Sequence, residues 1–489
     1  MVNEKLKNKP QKAIIFGAGP AGLTLAHELL TKTNIQPLVF ETQNIVGGLC
    51  RTIDYKGNRL DIGGHRYFTT SQKILKWWLK ALPLNIPAEQ CLILKKRISR
   101  IVFGNAFIRY PLKINHQILK ALGFRKIGKI LLSYLKSQLF PRKQINSLED
   151  LLIMRFGEEL YRTFFQDYTQ KVWGLPCNLI SAQWAKGRIQ SVSIKSILDH
   201  AIKKVFPRKA LGLMPGSVPP SLTEQFLYPA KGAGQLWETI AARIIEKGGK
   251  IFLGHKMIGL NNQENIHSAK IMNLSTKKIS VEPGDYFISS IPLGELVSAF
   301  ENKVPESILS AAEKLIYRNV IIVGLILKKS KLNVSKRNVS TLPDQWIYIH
   351  NKDIAMGRLQ IFNNWSEFLV KDKEHVLLGA EYFCSEESQL WEKQDDVLVK
   401  QTIRDLARLD FIDPNDFIDG VVIRQEKAYP VHGLEQGELA QLGVFINTTK
   451  NLFLIGRNGQ HEYCNTDAAM LSAMEVAEKL ANGAVNTHA

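Results

Sequence analysis

The stretch that most constrains this chain is KAIIFGAGPAGLTLAHELL at residues 12–30, followed by PLVFE at 37–41. The apolar run Ala13-Ile14-Ile15-Phe16 predicts a buried parallel strand, and Leu23, Ala26, Leu29 and Leu30 then recur at helical spacing. Between them lies Gly17-Ala18-Gly19-Pro20-Ala21-Gly22. Gly17 permits a tight turn, Gly19 lets backbone approach a pyrophosphate, and Gly22 lets the helix pack against the strand. The helix start, with Pro20 and Ala21 in its first turn, offers free N–H groups and the positive end of a dipole. Glu41 closes the second strand where an acid can accept hydrogen bonds from a ribose. A glycine-rich turn in an ordinary βαβ unit is the plainer reading of such a motif. Here strand, turn, helix, second strand and terminal acid all fall in register, which favours dinucleotide binding.

The next corner, Gly47-Gly48-Leu49-Cys50-Arg51-Thr52, is a second small-residue turn with a cation. With the first motif it resembles the extended fingerprint of the FAD family that contains amine oxidases, protoporphyrinogen oxidases, carotenoid desaturases and UDP-galactopyranose mutases. The resemblance implies FAD as cofactor, with Gly47, Gly48 and Arg51 beside its pyrophosphate. It also implies an α/β fold: a Rossmann-like FAD-binding domain of the GR2 type, an inserted helical region, and a mostly antiparallel β-sheet substrate domain. The expected division is 10–90, 226–300 and 440–485 for the FAD domain, 113–225 for a helical cap, and 91–112 with 301–439 for the sheet. A chain of 489 residues is long enough for several such units.

Five cysteines without CxxC spacing predict neither a metal site nor a disulfide framework, and they suit a reducing cytoplasm. The N-terminal apolar segment is read as the first strand rather than as a targeting signal. No run approaches the ~18 apolar residues that a spanning helix needs. The formal charge is +19 and unevenly spread, with no acidic residue between Glu89 and Glu149. From Ile114 to about Leu139 the pattern is helical, with Ile114, Ile118, Leu122, Ile127, Leu131 and Leu135 on one stripe and lysines off it. The preferred reading packs that stripe into the protein and leaves the cations solvated. The alternative lays the basic 113–143 segment on a membrane surface. Gly123 and Gly128 are expected to break the helix. Nucleic acid is not an expected partner, and the oligomeric state is left open.

Further along, Asp61-Ile62-Gly63-Gly64-His65 presents a histidine after two glycines, read equally as a turn residue and as a group beside the flavin ring. Helices are expected over 147–206, a loop over 207–224, and strands at 319–327, 345–349, 358–362 and 376–383. A terminal helix from about Asp467 to Leu480 offers a second N-terminus to flavin oxygens.

Several ordered motifs are similar to UDP-galactopyranose mutases, in particular the eukaryotic type. They are Gly63-Gly64-His65; Lys171-Val172-Trp173 with Trp184 and Arg188; Phe226 to Gly234; and Trp346-Ile347-Tyr348. Arg358 through Ser366, Ala428-Tyr429-Pro430, and Gly456-Arg457-x-Gly459 with Tyr463 and Asp467 complete the set. The resemblance implies His65, Arg188 and Arg358 as catalytic residues. It implies that Gly63, Gly64, His65, Gly456, Arg457, Asn465 and Asp467 serve FAD. Trp173, Arg188, Tyr228, Tyr348, Arg358, Tyr429 and Tyr463 are then the substrate-binding set. Those residue types suit a nucleoside-diphosphate sugar, since guanidinium forks bind diphosphate oxygens bidentately and an indole covers a base. The implied chemistry passes through N5 of reduced FAD and is redox-neutral, with NAD(P)H a transient reductant. The alternatives are net oxidation of an amine, a porphyrinogen or a lipophilic substrate, and a non-catalytic flavin component of a glycan assembly.

Overall fold

The computed structural model describes residues 10–84, 89–104, 106–110, 116–142, 144–182, 225–261, 264–329, 338–433 and 437–483. A five-stranded parallel sheet forms one layer, in the order Leu452–Leu454, Tyr286–Ser289, Lys12–Phe16, Gln36–Glu41, Lys250–Leu253. Its strands come from both chain ends and the middle. Its central strand is apolar on every side because helices cover both faces: Ala13, Ile14 and Ile15 are fully buried. The first helix, Pro20–Lys32, and the last, Thr466–Ala481, pack side by side on one face together with Gly234–Glu246.

A seven-stranded sheet forms the second layer, in the order 417–431, 316–328, 375–384, 358–361, 346–349, 99–103, 106–110. All neighbours are antiparallel except 346–349 against 99–103. The helix Asp395–Arg408 packs on it over a core that includes Leu398, Leu406 and Phe411. The expected strands lie within this sheet, and the segment 417–431 adds one long strand at its edge. Gly104, at the end of the strand 99–103, adopts φ +55°.

The helix His116–Leu139 breaks at Gly123, where φ is +74°, and runs unbroken through Gly128. Leu122, before that break, packs with Ile108 and Phe164 as the expected stripe has it, whereas beyond the break the helix packs through a different face. Ser133 and Tyr134 lie against Gly157, and Ser133 Oγ accepts from the Glu159 N–H. Leu131 and Leu135 therefore point outward. Phe124, Leu132 and Leu139 share that exposed face, and Phe140 follows at 75% exposure. Small residues at 133 and 137 let this side approach the Leu148–Phe156 helix closely, which a leucine stripe would prevent. The expected loop 207–224 and the end of the helical region lie outside the described residues. No helix among the described residues is long and apolar enough to cross a membrane.

Candidate active site

The cofactor half of the site starts at the first strand. Gly17 turns at φ +102°, and a Cβ on Gly22 would lie 2.0 Å from the Gly17 carbonyl oxygen, so only glycine lets this helix reach this strand. Gly19 caps the first helix without a side chain, and Asn465 precedes the last helix without making a side-chain cap bond. Two adjacent helices thus present uncapped N–H groups, a cradle suited to anionic oxygens. The Cα of Gly48 approaches Gly19, where a Cβ would be 3.0 Å from the Gly19 Cα.

The Glu41 carboxylate accepts N–H bonds from Ala18 at 2.8 Å and Gln43 at 2.9 Å, which fixes it at the end of its strand. A cleft of about 760 Å³ opens there, past Gly17, Glu41, Met257, Pro292 and Tyr317. These features fit FAD: an acid at the cleft for a ribose, a glycine cradle, and two helix dipoles for the charged oxygens. Arg51 is buried and donates to the Gly48 carbonyl and to Gln425, so it braces the second turn. Arg457 likewise donates to the carbonyls of Cys464 and Ala428. Asp467 is half-buried in the first turn of the last helix, and its side chain makes no ion pair or hydrogen bond among the described residues.

His65 stands between the two halves. Its Nε2 lies 2.9 Å from the Ile62 carbonyl, and its Nδ1 is 3.7 Å from the sulfur of Cys50. Cys50 also meets the Thr466 hydroxyl at 3.4 Å, tying the second turn to the last helix. Burial alone would push the imidazole down, but Cys50, the buried Asp61 and the Ile62 carbonyl hold it up at about 9. Burial pushes the Cys50 thiol up, and His65, the Thr466 hydroxyl and the charge of Arg457 together lower it. Each group thus favours the charged form of the other. Cys50 was visible in sequence only as a filler of the GG-x-x-RT turn, and its partnership with position 65 had no sequence signal.

The substrate half is an aromatic and guanidinium cluster on one face of the seven-stranded sheet. Strand pairing places Tyr348 opposite Arg358, and Arg358 opposite Glu381. The Arg358 guanidinium pairs with Glu381 at 2.7 Å and donates to the Tyr429 hydroxyl at 3.1 Å. Tyr429 and Tyr463 stack with centroids 5.6 Å apart, and Trp173 sets its edge against both, at 5.7 and 5.6 Å. Arg457 lies against the same two rings, 4.5 Å from Tyr463 and 5.3 Å from Tyr429. Tyr168 meets Tyr348 edge-on at 5.8 Å.

Five residues expected from separate motifs (Trp173, Tyr348, Arg358, Tyr429 and Tyr463) therefore converge. Trp184 and Arg188 lie outside the described residues. Tyr228 does not join them. It is fully buried, and its hydroxyl donates to Asp61 at 2.6 Å in a knot with Thr52 and Ala233. Alternation along the strand explains this, because Tyr228 shares a core with Trp365, and residues of that core cannot also face a cleft. Glu381 had no motif to flag it: it is a lone acid in a run of apolar strand residues.

Lys171, from the K-V-W motif, is structural. Its ammonium donates at 2.8 Å to the carbonyls of Ile349, Asn351 and Ile354, clamping the helix Gln166–Trp173 to the sheet. That clamp positions Trp173, two residues on.

Known proteins bear on this geometry. Over 176 residues the chain is 25% identical to the UDP-galactopyranose mutase of Mycoplasma genitalium, a match that spans 34% of this chain and 41% of that protein. The chain superposes on a reduced UDP-galactopyranose mutase with a TM-score of 0.76, 22% identity, and coverage of 97% of this chain and 95% of the other. A provisionally assigned protoporphyrinogen oxidase from Exiguobacterium sp. 255-15 gives 0.69 at 15% identity over 97% and 99% of the two chains. A putrescine oxidase bound to putrescine gives 0.60 at 15% identity over 96% and 99%. At these identities the structural matches establish the shared fold. Residues 20–481 match the family of flavin containing amine oxidoreductases, and the chain belongs to that family.

Proposed function

We propose that this protein acts on a nucleoside-diphosphate sugar, or a related glycan precursor, by a mutase-like, redox-neutral route. The observation that carries the proposal is the Trp173–Tyr429–Tyr463–Arg358 cluster. It offers an indole edge for a base, one guanidinium fork, and hydroxyl donors for diphosphate oxygens, with Glu381 fixing the fork's orientation. Arg188, on the same reading, supplies a second guanidinium. Reduced FAD, when bound, supplies a nucleophilic centre for the anomeric carbon. This chain's residues then hold the diphosphate as it leaves and returns, and His65, held protonated, presents a positive charge near the ring. NAD(P)H is the reductant expected to visit.

The test is a UDP titration of the dithionite-reduced holoprotein. UDP binding that weakens about tenfold or more in Arg358→Ala, with FAD content retained, supports the reading. Indifference to UDP, together with peroxide release from an amine or a porphyrinogen, replaces it with net oxidation.

The exposed face of His116–Leu139 favours one further element of the reading: contact with an anionic membrane at the cytoplasmic side. Phe124, Leu131, Leu132, Leu135 and Leu139 lie within one arc of the helix, and Arg125, Lys129 and Lys136 border it. An apolar stripe flanked by cations and free of acids matches an interfacial helix. Sedimentation with vesicles containing phosphatidylglycerol should retain the protein, and Leu132→Glu with Leu139→Glu should release it. Equal binding to neutral vesicles, or self-association that the same changes abolish, would instead assign the face to neutral lipid or to a second copy.

A further inference from the structure

Among the described residues, the half-buried and buried arginines have identifiable charge or carbonyl partners, with two exceptions. Arg100 is paired with the fully buried Asp344, Arg358 with Glu381, Arg59 with Glu238 and Arg424 with Asp395. Arg318, Arg51 and Arg457 spend their forks on backbone carbonyls. Arg66 and Arg97 do neither. Among the described residues, neither guanidinium meets a carboxylate or a carbonyl, and Arg97 hydrogen-bonds only to the neutral Tyr110 hydroxyl. The Arg66 guanidinium lies 4.1 Å from the Trp346 ring. Arg97 lies 5.0 Å from the Tyr110 ring and 6.0 Å from the same tryptophan.

Their placement follows from the chain. Arg66 comes directly after His65, so the segment that carries the histidine between the two halves also carries this guanidinium. Arg97 is two residues before Ser99, which is paired on one side with Tyr110 and on the other with Trp346. Arg97 lies in the two-residue link between the strands Leu92–Lys96 and Ser99–Phe103, and it reaches the Tyr110 and Trp346 rings from there. Trp346 and Tyr348 share a side of their strand by alternation, opposite Gln360 and Arg358. Gly64 is pressed against this group, and a Cβ there would lie 2.8 Å from Gln360 Nε2 and 3.4 Å from Trp346. Within this patch Arg97 Nε, Trp346 Nε1, Gln360 Oε1 and Arg358 Nε are buried with no hydrogen-bond partner.

Two half-buried like charges over one aromatic ring are costly. Burial, and then the charges of Arg97 and Arg358, push the Arg66 guanidinium down to about 10. Stacking on an indole recovers part of that cost, and the Tyr110 hydroxyl takes a bond from Arg97, but neither contact neutralises the two positive charges. An arrangement of this kind is relieved by an anion.

We infer that Arg66 and Arg97, seated on Trp346, form a second anion subsite that receives a carboxylate or a phosphate ester on the sugar moiety itself, separate from the Arg358 site. The substrate class is then an acidic sugar nucleotide, such as a uronate, rather than a neutral one. This rests on the nucleotide-sugar reading above for the identity of the carrier, and on the unneutralised arginine pair for the charge of the sugar.

The experiment titrates the FAD-loaded protein at fixed ionic strength with UDP, UDP-galactose and UDP-galacturonate, and with free galacturonate and galactose 6-phosphate. It follows the flavin difference spectrum. UDP-galacturonate should bind about tenfold or more tighter than UDP-galactose, as expected for one desolvated charge-assisted contact. Arg66→Gln and Arg97→Gln should each reduce that preference to about twofold while leaving UDP affinity within about twofold. The free-ligand arms separate a carboxylate subsite from a phosphate subsite. FAD content and circular dichroism identify any variant that fails to fold, and the second arginine variant then decides.

Equal affinity for the two sugar nucleotides, with both free anions ignored, overturns the subsite while leaving the nucleotide reading intact. So does a preference for the acidic ligand that survives both variants. If UDP does not bind but galacturonate or galactose 6-phosphate does, in an Arg66-dependent way, the subsite stands and the nucleotide reading falls. If no ligand binds, both fall.

Discussion

A carboxylate with no exposed surface lies beneath the substrate cluster. Glu381 pairs with Arg358 and accepts a bond from Gln360, so one acid orients the guanidinium assigned to the diphosphate. Replacing it with glutamine strands a buried charge, and Glu381→Gln should destabilise the protein by about 3 kcal/mol in urea unfolding. His65 makes a contrasting prediction. Its folded-state value is raised from 6.5 to about 9, so its contribution to stability is complete below 6.5 and is lost as pH rises through about 9. The melting-temperature gap between the native protein and His65→Gln should therefore be widest near pH 6 and close by pH ~10. A gap that widens with pH would mean that the imidazole is buried neutral.

At the scale of elements, two attachments control the site. One is the Gly22 contact, where a methyl group would strike the Gly17 carbonyl; that atom is backbone and cannot swing aside. Gly22→Ala should therefore separate the first helix from its strand and yield colourless protein, read directly from the flavin absorbance. The other is Lys171, whose ammonium holds four carbonyls of the segment 349–356. Lys171→Met removes all four bonds and should cost about 2–4 kcal/mol, leaving buried acceptors unsatisfied. Because the same helix carries Trp173, UDP affinity should fall with it, although position 171 touches no ligand on the proposed reading.

The whole molecule is built so that neither half of the site is local. The parallel sheet takes strands from 12–16, 36–41, 250–253, 286–289 and 452–454, and its last helix supplies the second uncapped N-terminus. A chain truncated after residue 450 loses both a strand and that helix. It should retain no FAD and should expose Ile15, Leu23 and Ala26, which the missing parts cover. Gel filtration with absorbance detection checks this, and a yellow monomer would contradict the assembly described here.

Local chemistry determined a good deal by itself. The glycine spacing and Glu41 specified a βαβ turn for a dinucleotide because their requirements are met within about 30 consecutive residues. The strands of the second sheet were legible from their apolar runs, and the kink at Gly123 from the residue that permits it. The packing face of the His116–Leu139 helix was not legible, because a leucine stripe does not say whether protein or another phase will cover it. Tyr228 looked like a cleft residue and proved to be core, since a tyrosine hydroxyl serves either role and only Asp61, 167 positions away, decides. The Cys50–His65 pair, the Glu381 brace and the unneutralised charges of Arg66 and Arg97 depend on contacts between segments far apart in the chain, on strand register, and on which charges lack an opposite neighbour. These are properties of distance in space, and tertiary packing alone sets them.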